Sequence, residues 1–131
     1  MIKYTIRKFF LPIFIVFFPA QFLFAQEGQW KTYTVNDGLA HNDVRAIAVA
    51  GDFVWFGTFG GGLSRFRKSG GDWQTYEAAN SDILSNFIQT VALDGDELWI
   101  GTDQGLNRFR PATNEWQSWD SLKCVLSIDV D

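Results

Sequence analysis

Trp55-Phe56-Gly57-Thr58 and the nearby Gly62-Leu63-Ser64-Arg65-Phe66-Arg67 decide the reading, because both return. The first comes back as Trp99-Ile100-Gly101-Thr102, 44 positions later, and the second as Gly105-Leu106-Asn107-Arg108-Phe109-Arg110, 43 positions later. Around them, Asn42-Asp43-Val44 recurs as Asn86-Phe87-Ile88, and Gly51-Asp52 as Gly95-Asp96. Trp30-Lys31-Thr32-Tyr33 recurs twice at intervals of 43, as Trp73-Gln74-Thr75-Tyr76 and as Trp116-Gln117-Ser118-Trp119. One residue is gained before Asn86 and one lost in the glycine run Gly60 to Gly62. Both changes fall where turns are expected, and turns tolerate a change of length.

A period in the low forties is that of a four-stranded propeller blade. Each repeat parses into four strands. The first is Val44 to Val49, matched by Ile88 to Leu93. Its apolar residues fall on both phases of the alternation, as in a strand covered on both faces. The second is Phe53 to Thr58, matched by Leu98 to Thr102, after a tight Gly-Asp turn. The third is Leu63 to Arg67, matched by Leu106 to Arg110. The fourth is Trp30 to Thr34, matched by Trp73 to Glu77. Its two aromatics stand three apart, so in a strand they point to opposite faces, each toward a different neighbouring blade. Asn36-Asp37-Gly38 and Asn80-Ser81-Asp82 read as loops. No sustained helical period appears after the N-terminal segment. The fold class expected is all-β: four-stranded antiparallel propeller blades, two full repeats and the start of a third. The units run over about 30–72 and 73–115, with a partial third over 116–131.

The first 25 residues have another character. Lys3, Arg7 and Lys8 precede an apolar run from Phe9 to Phe18, then Pro19 and Gln21 break it, and Leu23-Phe24-Ala25 offers a cleavage point. This is the layout of a secretory signal peptide over 1–25. The alternative is an uncleaved anchor, but Phe9 to Ala25 is short of the ~20 apolar residues of a comfortable span. Either way residues 26–131 are expected outside the cytoplasm, in the periplasm or at the cell surface. Loss of the three cations takes the net charge from −4 to −7. An acidic body lacks the basic face that a nucleic-acid partner requires. It gives no reason to expect binding to an anionic membrane either.

Cys124 is the single Cys, so no internal disulfide forms; beside Val125 and Leu126 it reads as a small buried hydrophobe. His41 is the single His and lacks zinc partners, so it reads as an exposed loop residue. Asp94, Asp96 and Asp103 are close in sequence, but Leu98-Trp99-Ile100 interrupts any calcium loop, and they read as turn carboxylates. Gly60-Gly61-Gly62 opens a strand and not a helix, so it is no phosphate loop. Trp55 and Trp99 stand at equivalent strand positions and read as inter-blade packing in preference to sugar platforms. Asn42 and Asn86 read as satisfying turn backbone groups. No catalytic, metal or cofactor residues are assigned, and the ligand-binding residues stay open. The loops at one end of the scaffold are where a ligand is expected.

Taken together, these residues resemble the two-component regulator propeller repeat. The first copy reads Gly38-Leu39, Asn42-Asp43-Val44, Gly51-Asp52, Trp55-Phe56-Gly57-Thr58, Gly61-Gly62-Leu63 and Arg65-Phe66. The second reads Ile83-Leu84, Asn86-Phe87-Ile88, Asp94-Gly95-Asp96, Trp99-Ile100-Gly101-Thr102, Gln104-Gly105-Leu106 and Arg108-Phe109. The resemblance covers Gln29 to about Trp119. It implies seven-bladed propellers that form the periplasmic sensor region of hybrid histidine kinases, notably in Bacteroidetes, many sensing polysaccharide breakdown products. Implied partners are an oligosaccharide ligand, and further blades or a sensor kinase from another chain or from missing sequence. The third copy departs from the pattern: Val125 follows Trp119 after only a few residues, with no Gly-Leu step. The reading is therefore a non-enzymatic sensor fragment. The alternative is a structural or protein-interaction propeller of the cell surface, and an enzyme of lyase or hydrolase type comes last. Because a repeat buries its faces only against neighbours, residues 26–131 alone are expected to be poorly stable, with the aromatic faces of Trp73 and Trp99 bared.

Overall fold

Eight strands follow one another with short connections, as the repeat requires. The computed structural model describes residues 30–131; the segment read as a signal peptide, 1–25, lies outside them. The strands are β1 (Val44–Ala50), β2 (Phe53–Thr58), β3 (Leu63–Arg67), β4 (Trp73–Tyr76), β5 (Ile88–Asp94), β6 (Glu97–Thr102), β7 (Leu106–Arg110) and β8 (Glu115–Trp119). They make two four-stranded sheets, β1-β2-β3-β4 and β5-β6-β7-β8. All neighbours are antiparallel. The class is all-β, with only two short 3-10 turns, Val35–Asp37 and Asp120–Leu122, among the described residues. Both sheets carry a register shift at the same place, between Val44 and Ala46 and between Ile88 and Thr90.

The sheet boundaries differ from the repeat boundaries. Each sheet begins at the strand after the long loop, so Trp116–Trp119 closes the second sheet. Trp30–Thr34, expected as a strand, is not one: it carries no regular structure, and Thr34 caps the turn Val35–Asp37. Its counterparts β4 and β8 each pair with the third strand of their own sheet. Trp30–Thr34 joins neither sheet, and its end is drawn instead into the Thr34 cap of the turn Val35–Asp37.

Within the unit Tyr33–Asp131 the two sheets face each other. Trp55 of β2 is 1% exposed and meets Phe109 of β7 edge-on, with ring centroids 6.0 Å apart. Tyr76 packs on Trp55 at 5.9 Å and on Phe109 at 5.0 Å, and Phe109 stacks on Trp116 at 4.1 Å. Leu63, Ile83, Ile88, Leu98 and Ile100 complete this core, all buried. The two aromatics of β4 do part as expected: Tyr76 enters the inter-sheet core, while Trp73 packs on the far face with Tyr33, Phe56 and Phe66. In β8, Trp116 faces the core and Trp119 stacks on Trp99 at 5.6 Å. Trp73 and Trp99, expected bare, are thus half-buried by aromatics of their own surroundings.

β1 and β5 differ although their sequences match. β5 is buried or half-buried up to Asp94, as expected of a strand covered twice. β1 alternates, with Ile47 60% and Val49 59% exposed. The first sheet covers β5, whereas no described sheet covers the outer face of β1.

Gly57 sets how closely the sheets approach. A Cβ there would lie 2.7 Å from Ile88 Cγ2 and 2.9 Å from Val91 Cγ2, both on β5. Gly57→Ala is therefore expected to lower stability by about 1–3 kcal/mol through overpacking. Urea unfolding of the two proteins measures it; an unchanged or higher midpoint would show that the sheets are not in this contact.

Candidate functional site

The longest loops, 33–43 and 77–87, lie at one end of the two sheets. β1 and β5 start there and β2 and β6 finish there, so the loops 33–43, 59–62, 77–87 and 103–105 gather at that end. Their backbone is tied down by residues of the repeat motif. Thr58 and Thr102 are fully buried, and their hydroxyls donate to Gly62 O at 2.7 Å and Gly105 O at 2.9 Å. The Thr102 hydroxyl oxygen also accepts from the backbone N–H of Gln104 and Gly105, both at 3.1 Å. Gly62 and Gly105 have positive φ, and a Cβ on either would strike a strand carbonyl at 2.3 Å, which only glycine avoids.

Asn42 and Asn86 act on the loop backbone as expected. Asn42 Oδ1 accepts from Val35 N–H at 3.0 Å, and Asn86 Oδ1 from Ala78 N–H at 2.7 Å. Two further anchors, Ser64 and Asn107, are not among the residues singled out from the sequence. Ser64 and Asn107 occupy matching buried positions on β3 and β7. Ser64 Oγ accepts from Ala40 N–H at 2.9 Å. Asn107 Oδ1 accepts from Leu84 N–H at 3.0 Å, and its amide donates to Asp82 O at 3.2 Å and Ser118 Oγ at 2.6 Å. A polar side chain so buried must find partners, and these hold the long loops down. The signal was the lone polar residue within Leu-x-Arg-Phe.

The sheets are stitched together at this end. Phe59 and Phe87 form a bridge, with their rings edge to face at 5.0 Å. Gly60 and Gly62 N–H both donate to Asn86 O, at 2.9 and 3.0 Å. The Gly60 Cα has the His41 ring and Phe87 within ordinary contact of where a Cβ would be. Arg45 lies over Phe59 at 4.5 Å and forks onto Asp43 at 2.7 and 2.9 Å. Phe87 is 44% exposed. The result is a mixed aromatic and charged surface of His41, Asp43, Arg45, Phe59 and Phe87. It can stack a flat or sugar-like face and offer hydrogen bonds. Asp103 N–H donates to Phe87 O at 3.2 Å, and its Oδ1 is buried without a hydrogen-bond partner.

Other sequence candidates fall elsewhere. Asp94, the last residue of β5, and Asp96, in the β5–β6 turn, sit at the opposite end, so Asp103 is not brought to them. No group of three potential ligands that could hold a metal ion occurs among the described residues. His41 is exposed, and its Nδ1 accepts from Asp43 N–H at 3.0 Å. Cys124, expected buried, is exposed. It lies outside any strand, and its neighbour Val125 is the residue turned inward: Val125 N–H donates to Thr102 O at 2.9 Å, and its side chain covers Gly101.

The Arg45 hydrogen bond, helped by its charge, holds the Asp43 carboxyl below the ordinary carboxylate value. A depressed folded value means that the pair's contribution is full at neutral pH and is lost as pH falls through it. A carbon-detected titration of Asp43 is expected to give a midpoint below the ordinary value, and Arg45→Gln to move it up. An unmoved midpoint would remove Arg45 as the cause.

No family model matches the chain, and no curated protein matches it either. Solved structures do. The extracellular domain of BT3049 of B. thetaiotaomicron, described as a hybrid two-component system, matches with a TM-score of 0.59 and 27% identity. That match covers 69% of this chain and 13% of that one. The extracellular domain of BT4673 of the same organism matches with a TM-score of 0.54 and 25% identity, over 58% of this chain and 10% of that one. The chain thus spans about a tenth of the length of the structures it matches. Extracellular domains of hybrid two-component systems are also what the resemblance of the repeat implies. No helix among the described residues is long and apolar enough to cross a membrane.

Proposed function

We propose that this chain, whose repeats are of the two-component regulator propeller type, is part of an exported sensor propeller. Its two sheets are read as blades, and its loop end as the ligand-receiving surface. The supporting observation is the pairing of a rigid loop end with extracellular domains of two-component systems as structural neighbours. The chemistry of the surface suits a sugar-derived ligand: Phe59 and Phe87 offer ring faces, while Asp43, Arg45 and His41 offer hydrogen bonds. The role is binding and not turnover. His41 Nδ1 is occupied by a backbone N–H, and no nucleophile is hydrogen-bonded to the ring among the described residues. Partners would be further blades and a sensor kinase, whether in the same polypeptide or another.

A second reading, a protein-interaction propeller, rests on the exposed Ile47 and Val49 of β1. An apolar strand face of that kind is where another sheet or a protein would pack.

The test is a panel of neutral and acidic oligosaccharides added to the full chain and followed by amide shifts. Saturable shifts at Phe59, Gly60 and Phe87 are expected, with Phe87→Ala weakening binding by about fivefold to tenfold. Shifts confined to β1, or none with any sugar, would overturn the loop-end reading.

A further inference from the structure

One departure from the repeat symmetry lies at the end of the sheets away from the long loops. In the second sheet Arg108 and Arg110 converge on Glu97, at 3.8 and 2.5 Å. The first sheet has matching arginines, Arg65 and Arg67, but Phe53 stands where Glu97 stands. Arg67 finds another acid, Asp72, at 2.6 Å. Arg65 does not. Its guanidinium lies over the rings of Phe53 at 4.7 Å and Trp55 at 5.7 Å, and one nitrogen donates to Gln74 Oε1. Among the described residues no carboxylate lies within ion-pair distance of it.

That cation faces a cavity of about 660 Å³ between the sheets. Phe53, Leu93, Leu98 and Pro111 line it with apolar surface, and Asp96 is the one acid on its wall. Both sides of the cavity come from sheets that the inter-sheet core holds together, so its shape is set by the fold. A guanidinium is planar by its own delocalisation, and with the rings of Phe53 and Trp55 beneath it its remaining N–H donors form a fork that suits a carboxylate. The apolar walls suit a hydrocarbon or aromatic body.

We propose that this cavity is a binding site for a small carboxylate with an apolar body, its carboxylate on Arg65 and its body against Phe53, Leu93 and Pro111. Phe53 then has two roles. It removes the internal acid that would neutralise the arginine, and it supplies a wall. The site lies at the opposite end from the loop surface, so it stands or falls independently of the reading given to that surface.

The experiment compares 4-phenylbutyrate, 4-phenylbutan-1-ol and 4-phenylbutylamine on the full chain, followed by NMR. The carboxylate is expected to bind about tenfold more tightly than the alcohol, the amount one charge-assisted hydrogen bond gives, and to shift the Arg65 side chain and not that of Arg108. Arg65→Gln should abolish the preference and Arg65→Lys retain part of it. Phe53→Glu installs the carboxylate that Arg108 already has, so the site should close without loss of the fold, as judged by the amide spectrum. Equal binding of the alcohol, preference for the amine through Asp96, or unchanged binding in Phe53→Glu would each overturn the proposal. So would no saturable binding of the carboxylate.

Discussion

The edge-on contact of Trp55 with Phe109 joins two sheets that have no hydrogen-bonded strand pairing between them beyond one bridge at Phe59 and Phe87. An antiparallel sheet of four short strands exposes two faces and cannot bury enough apolar surface alone. Trp55 resolves this for one face of each sheet. It is covered by Tyr76 from its own sheet and by Phe109 from the next, and Trp116 extends the stack. Such rings carry most of the burial available in so small a core, and edge-to-face and offset arrangements add about 0.5–1.5 kcal/mol each. Gly57, next but one along β2, lets β5 come close enough for that contact.

The same contact explains the residues that hold the loop end. With the sheets fixed side by side, the connection Phe59–Gly62 lies against Asn86 of the next sheet and takes its hydrogen bonds there. In the first copy of Trp-x-Gly-Thr the residues have separate duties: Trp55 fills the gap between the sheets, Gly57 permits the approach of β5, and Thr58 ties the following loop. The variable second residue is Phe56 in one copy and Ile100 in the other. Phe56 packs on Trp73 on the far face, and Ile100 lies in the inter-sheet core.

Much of this was legible in the sequence, because a repeat states its strands twice. Period, turn residues and strand order agreed for β1 to β8, and the opposite facing of Trp73 and Tyr76 followed from their spacing. What was not legible depended on neighbours. Trp30–Thr34 matches β4 in sequence but joins neither sheet among the described residues and runs into the Thr34 cap, so identity of motif did not make a strand. Cys124 looked apolar by its company, yet Val125 took the inward position. Ser64 and Asn107 are different residues with one duty, which a search for identical residues passes over. Phe53 in place of Glu97 likewise leaves no mark in a motif, and only the packed sheets show that Arg65 thereby loses an acid.

The dependence of each sheet on the other through Trp55 is tested most directly by hydrogen exchange of the full chain against Trp55→Ala. Amides of both sheets, 44–76 and 88–119, are expected to lose protection together, since one ring covers both. Loss confined to 44–76, with 88–119 as protected as before, would contradict it.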